Sequence, residues 1–186
     1  ILNQLAGKEL LISERQDPFL RTHPLSKERM KFIKKHASSK EITEPEEDKI
    51  IYKRLQTKIN AFTDPPGKTL LINKGNSIYK KYARTIAYFR IPMYEEAIFS
   101  ANSLLDDFPN DPYFLELKGQ IYAENGKIEN AILAYKKALN KIDKPAPLIM
   151  LALANMLLER EDSISSYSKA KALLEKTIIL EPLNIL

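Results

Sequence analysis

The side chains able to do chemistry in this chain are few and scattered. Two imidazoles are present, His23 and His36, and neither has a second ligand at metal-binding spacing. A zinc peptidase sets two histidines one helical turn apart around a glutamate general base, as His-Glu-x-x-His. That motif is absent. There is no cysteine, which removes disulfides, thiolate metal sites and cysteine nucleophiles. No glycine-rich phosphate loop and no Gly-x-Ser-x-Gly elbow occur. The acidic pairs Glu95-Glu96 and Asp106-Asp107 fall in helix-like segments, where a solvated face accounts for them. The basic cluster Lys27, Arg29, Lys31, Lys34 and Lys35 can meet phosphates or anionic lipid. Phe32 alone interleaves with it, too little for a run of stacked bases, so a solvated helix face fits it better. This stretch of chain is therefore expected to be non-catalytic and to bind no nucleic acid.

Composition points the same way. Of 186 residues, 44% are hydrophobic and 28% charged, an ordinary globular mixture. The net charge of +5, from 29 basic against 24 acidic residues, is interspersed rather than gathered into a stripe. No run approaches the roughly 20 apolar residues needed to span a bilayer. Because the sequence opens at Ile1 rather than Met, it is expected to be a piece of something longer, with any targeting segment upstream.

The elements that would position side chains are helical throughout. Leu2 to Ser13 reads as a short helix, and Gln16 to Pro24 as an extended stretch, since a residue before proline avoids the α region. Ser26 caps a basic helix over 27–36 that faces inward through Met30 and Ile33. Thr43-Glu44-Pro45-Glu46 opens a further helix with a capping-box pattern, and Ile51, Leu55, Ile59 and Phe62 share one of its faces. Asp64-Pro65-Pro66-Gly67 ends it.

From Ile78 onward the pattern repeats. Ala97-Ile98 recurs as Ala131-Ile132 (131 − 97 = 34), the period of the tetratricopeptide family. The middle copy resembles that family closely, with Gly119 and Tyr122 in a first helix, Gly126 in the turn, and Ala131, Tyr135, Ala138 and Leu139 in a second. The first copy matches through Tyr88, Tyr94, Ala97, Ala101, Leu104 and Pro109. The third runs through Leu153, Ala154, Leu157, Ala170, Leu174 and Pro182, with an expected longer turn over Glu161 to Ser168. Small residues let paired helices approach, and each hairpin buries its apolar face only by stacking on its neighbours. The expected fold class is all-α: tandem helix-turn-helix repeats forming an α-solenoid.

The first helices of such an array line a concave groove that takes protein ligands. By the family pattern the groove positions are Tyr79, Tyr82, Ile86 and Phe89, then Tyr113, Glu116 and Gln120, then Leu148, Leu151 and Asn155. Chaperone-binding members clamp a C-terminal carboxylate with Lys and Asn where this chain has Tyr82 and Ile86, so that function is not expected. The aromatic, apolar character suits an extended or helical segment. The same residues can instead bury against the helix at 44–62 or a following repeat, and the sequence leaves both open.

A more specific resemblance lies ahead of the repeats. Gln16-Asp17-Pro18-Phe19-Leu20-Arg21-Thr22-His23-Pro24-Leu25-Ser26-Lys27-Glu28-Arg29, then Asp64-Pro65-Pro66, then Tyr82-Ala83-Arg84-Thr85-Ile86-Ala87-Tyr88, resemble the region after the catalytic domain in bacterial zinc metallopeptidases with C-terminal tetratricopeptide repeats, of the beta-barrel assembly-enhancing protease type. The resemblance implies a periplasmic parent whose missing N-terminal part holds the zinc. It also implies repeats that recruit outer-membrane assembly clients or machinery, and a protease domain docking on those repeats. His23 matches a junction histidine that can reach the metal as an inhibitory ligand; it can equally be a loop histidine held by the Pro24 turn. The expected divisions are a helical junction over 1–40, a linker helix and loop over 41–77, and three repeats at about 78–111, 112–145 and 147–184. The alternative of another class is a stand-alone repeat scaffold with no protease attached.

Overall fold

The computed structural model describes residues 31–32, 34–35, 45–160 and 164–180. The chain divides into two compact units, Ile1–Glu46 and Glu47–Leu186. In the first, Lys31, Phe32, Lys34 and Lys35 are helical and exposed. The helices expected at Leu2 to Ser13 and around Met30 and Ile33, the stretch from Gln16 to Pro24, and both His23 and His36 lie outside the described residues, as does Pro182.

Among the described residues eight helices, the first beginning at the boundary, make up the second unit: α1 (Glu46–Thr63), α2 (Pro66–Ile72), α3 (Ile78–Arg90), α4 (Tyr94–Asp107), α5 (Pro112–Glu124), α6 (Ile128–Leu139), α7 (Pro147–Glu159) and α8 (Ile164–Leu180). Among the described residues there is no strand. From α3 to α8 each helix packs on the next in chain order, as stacked hairpins require. First helices begin at 78 and 112 (112 − 78 = 34) and second helices at 94 and 128 (128 − 94 = 34). The architecture is an all-α solenoid of the tetratricopeptide type.

Local chemistry sets the boundaries. Pro66, Pro112 and Pro147 each stand in the first turn of a helix, where a missing N–H costs nothing. The Asp111 side chain caps α5 by accepting from the amides of Tyr113 and Phe114, at 3.0 and 3.2 Å. Gly126 ends the turn before α6 with φ +67°, which a side chain would strain. Gly119 is small because α6 comes close: a Cβ there would meet the Tyr135 ring at 2.6 Å. The close approach expected between these helices is present.

Two cores run through the stack. One gathers Tyr82, Ile86, Ala97, Ala101, Leu104, Phe114, Leu117 and Ile121, and Ala61 of α1 joins it. The other gathers Leu115, Ala131, Ile132, Tyr135, Leu153, Leu157 and Ala170. The buried Thr85 and Ser100 hydroxyls satisfy each other at 2.7 Å between α3 and α4.

Three expectations are corrected. The long turn expected over Glu161 to Ser168 is taken up by helix: α8 already starts at Ile164 and runs 17 residues, against 12 for α6. The segment after Pro65 is the short helix α2 rather than a loop, since Pro66 fits its first turn. On α1, Ile51, Leu55 and Ile59 do not face the core. All three are more than half exposed, and only Phe62 of the expected face is partly buried.

Candidate functional site

What α1 does instead defines the site. Arg54, Lys58 and Ala61 follow one another at i, i+4 and i+7, so they share a helical stripe. Arg54 forms an ion pair with Asp111 at 2.5 Å, and its guanidinium lies 5.4 and 5.0 Å from the Tyr113 and Phe114 ring centroids. Lys58 approaches Glu116 at 3.9 Å, and Lys53 sits over the Tyr79 ring at 4.6 Å. At the far end, Arg90 of α3 donates to the Ala61 carbonyl at 3.0 Å and to the Asp64 carbonyl. Helix α1 thus lies across α3 and α5, the first helices of repeats one and two. It meets both through these side chains, and Tyr113 beneath it stays about half exposed.

The groove residues named from the sequence separate into three groups. Tyr82 and Ile86 do not line an open groove. They are buried, at 2% and 0% exposure, in the core that also contains Ala61, and Tyr82 stacks tilted on Phe114 at 5.2 Å. Phe89 packs against the same core. Tyr79, Tyr113 and Glu116 are the residues that meet the cations of α1, and Gln120 donates to Glu116 at 3.4 Å. The third group lies on α7: Leu148 is 64% exposed, Leu151 half-buried and Asn155 exposed. With Leu158, also exposed, they are spaced 3, 4 and 3 residues apart, a single stripe on one helix face.

Electrostatics at the covered part is acidic. Burial pushes the Tyr82 phenol well above its ordinary range, Glu116 and Asp111 add to the rise, and Arg54 opposes it. Burial does the same to Tyr135, helped by Glu116 and Glu124. Both rings therefore stay neutral, and Asp111 and Glu116 supply the negative charge that α1 meets.

Sequence reasoning missed Arg54, Lys58 and Asp111. The signal was present: two cations one helical turn apart beside the apolar positions, and an Asp-Pro pair that opens α5. A second concavity, about 650 Å³, lies between α3 and α4 and is lined in part by Lys81, Arg84, Glu95, Phe99 and Ser100. Three of its charged groups are engaged within the chain: Lys81 with Asp107 at 2.6 Å, Arg84 with the Asn73 and Gly75 carbonyls, and Glu95 with Lys127 at 3.4 Å. Among the described residues no three His, Asp or Glu side chains gather to hold a metal, and no helix is long and apolar enough to cross a membrane.

This is a helical-repeat protein in which the first helices of two repeats are met by the chain's own helix α1. Among solved structures it is similar to MamA 41-end from Desulfovibrio magneticus RS-1, with a TM-score of 0.58 at 16% identity over 72% of this chain and 76% of that one. That likeness establishes the fold. No family model matches the chain, and no curated protein matches it in sequence.

Proposed function

We propose that this chain is a protein-docking region and that its first-helix groove is the docking surface. The observation that carries the reading is α1 itself: an 18-residue helix lies across α3 and α5, so the surface has the width and chemistry to hold a helix. On α7, Leu148, Asn155 and Leu158 are exposed along one stripe with the half-buried Leu151, apolar surface of the kind that interaction patches use. The test is site-specific photo-crosslinking in the intact parent protein. A crosslinker at Leu148 or Asn155 should capture a discrete protein species, and one at Phe99 or Lys137, away from the groove, should not. Equal capture at all four positions would remove the groove from consideration.

The finer reading attaches this region to a periplasmic zinc metallopeptidase, with outer-membrane assembly proteins as clients. It is supported by the segment from Gln16 to Arg29 and by Asp64-Pro65-Pro66 and Tyr82 to Tyr88. The last two also have work in the fold. The Asp64 carbonyl receives Arg90, Tyr82 and Ile86 fill the core, and Arg84 ties down the 73–75 loop. Zinc would belong to the parent's catalytic part. About one zinc per full-length chain, the stoichiometry of a mononuclear three-ligand site, is the expected result, with higher peptidase activity on His23→Ala. A parent without zinc leaves a stand-alone scaffold.

A further inference from the structure

Helix α1 is held in an unusual way. Of its 18 residues only Ala61 is buried, with Phe62 packed partly against the same core. Arg90 of α3 also donates to the carbonyls of Ala61 and Asp64 at its C-terminal end, and the cationic ends of Lys53, Arg54 and Lys58 reach Tyr79, Asp111, Tyr113, Phe114 and Glu116. Its own apolar strip gains nothing from this position: Ile51, Tyr52, Leu55 and Ile59 are each between 51% and 58% exposed. Leaving the groove would therefore uncover little apolar surface. Besides the Arg90 hydrogen bonds, the contacts that would be lost are partly solvated ion pairs and cation–π contacts, each weak by itself.

A segment bound chiefly by charge, at a site its own tether keeps it near, behaves as an internal ligand. We infer that α1 is a displaceable occupant of the groove, and that the external partner is a helix carrying two cations one turn apart, spaced as Arg54 and Lys58 are, to meet Asp111 and Glu116. This deepens the docking reading above and rests on it. Charge complementarity selects this partner: the floor presents two carboxylates flanked by Tyr79 and Tyr113. An acidic or wholly apolar helix would leave those carboxylates without counter-charge. Tethering explains why α1 can win with weak contacts. A short linker holds it at an effective concentration in the millimolar range, so even a site with a dissociation constant of tens of micromolar stays about 10- to 100-fold more filled than empty.

The probe is a fluorescein-labelled synthetic peptide of residues 45–64, added to the full chain and followed by anisotropy. Against the unaltered chain it should bind weakly, because the site is occupied. Against the R54E/K58E chain, in which α1 is repelled from the carboxylates, it should bind at least about tenfold more tightly, the reciprocal of the tethering advantage. Adding Glu116→Lys to that variant should abolish the gain. A scrambled peptide of the same composition should not show it, which separates a helical register from bulk charge. Circular dichroism establishes that the repeats stay folded, and R54A/K58A replaces the charge reversal if they do not. Equal affinity for the unaltered and released chains overturns the inference, as does a gain that survives Glu116→Lys. In either case crosslinking at Leu148 still reports on the docking reading, so the two fail separately.

Discussion

The first two repeats and the third are the same hairpin in different circumstances. In repeats one and two the first helices are met by α1, and the floor beneath it is polar and acidic at Asp111 and Glu116. In repeat three the first helix, α7, is apolar almost all round, and nothing among the described residues covers Leu148. A helix apolar on every side is normally enclosed. The half with a lid needs little apolar surface, whereas the half without one displays it. The lesson concerns division of labour: the covered part discriminates by charge, and the open part offers area.

That contrast can be broken from several directions. The largest effect should come from Phe114→Ala, which empties the point where Tyr82, Phe108 and the Arg54 guanidinium converge on a fully buried ring. A loss of about 3–5 kcal/mol is expected in denaturant unfolding, with α1 released at the same time. Gly119→Ala should cost about 1–3 kcal/mol, because the new methyl would overlap the buried Tyr135 ring. If the variant is as stable as the parent chain, the close packing of α5 on α6 is not a constraint.

Arg54→Ala is subtler. The loss in global stability should stay near 1 kcal/mol, since the pair is partly solvated. The amides of α1 should nevertheless exchange about tenfold faster while those of α5 and α6 do not change. Uniform acceleration across all helices would mean that α1 is integral to the fold and not a separable lid. Least of all, Leu148→Asp should move stability by no more than about 0.5 kcal/mol, because that side chain is 64% exposed. Partner capture through the open part should fall. A large destabilisation would show that Leu148 is buried by something in solution.

Much of the repeat array was legible in advance because its signals are local. A 34-residue period and small residues at Gly119, Ala131 and Ala138 act through sterics within one hairpin, so they survive in the linear pattern. The groove was legible only in part. Tyr79, Tyr113 and Glu116 are on the surface that the family pattern indicates, but Tyr82 and Ile86 are beneath it. Periodicity gives the face of a helix and does not say how deep a neighbouring helix lets that face go.

The sequence by itself determined the helical class and the hairpin repeat. It also excluded any chemistry that needs cysteine, since the chain has none. Only the tertiary structure decided the orientation of α1. Its amphipathic pattern offered an apolar face, Ile51, Leu55 and Ile59, and a cationic one, Arg54 and Lys58. A free helix favours burying the first. The second is the one that meets carboxylates, Asp111 at the N-cap of α5 and Glu116 on its second turn.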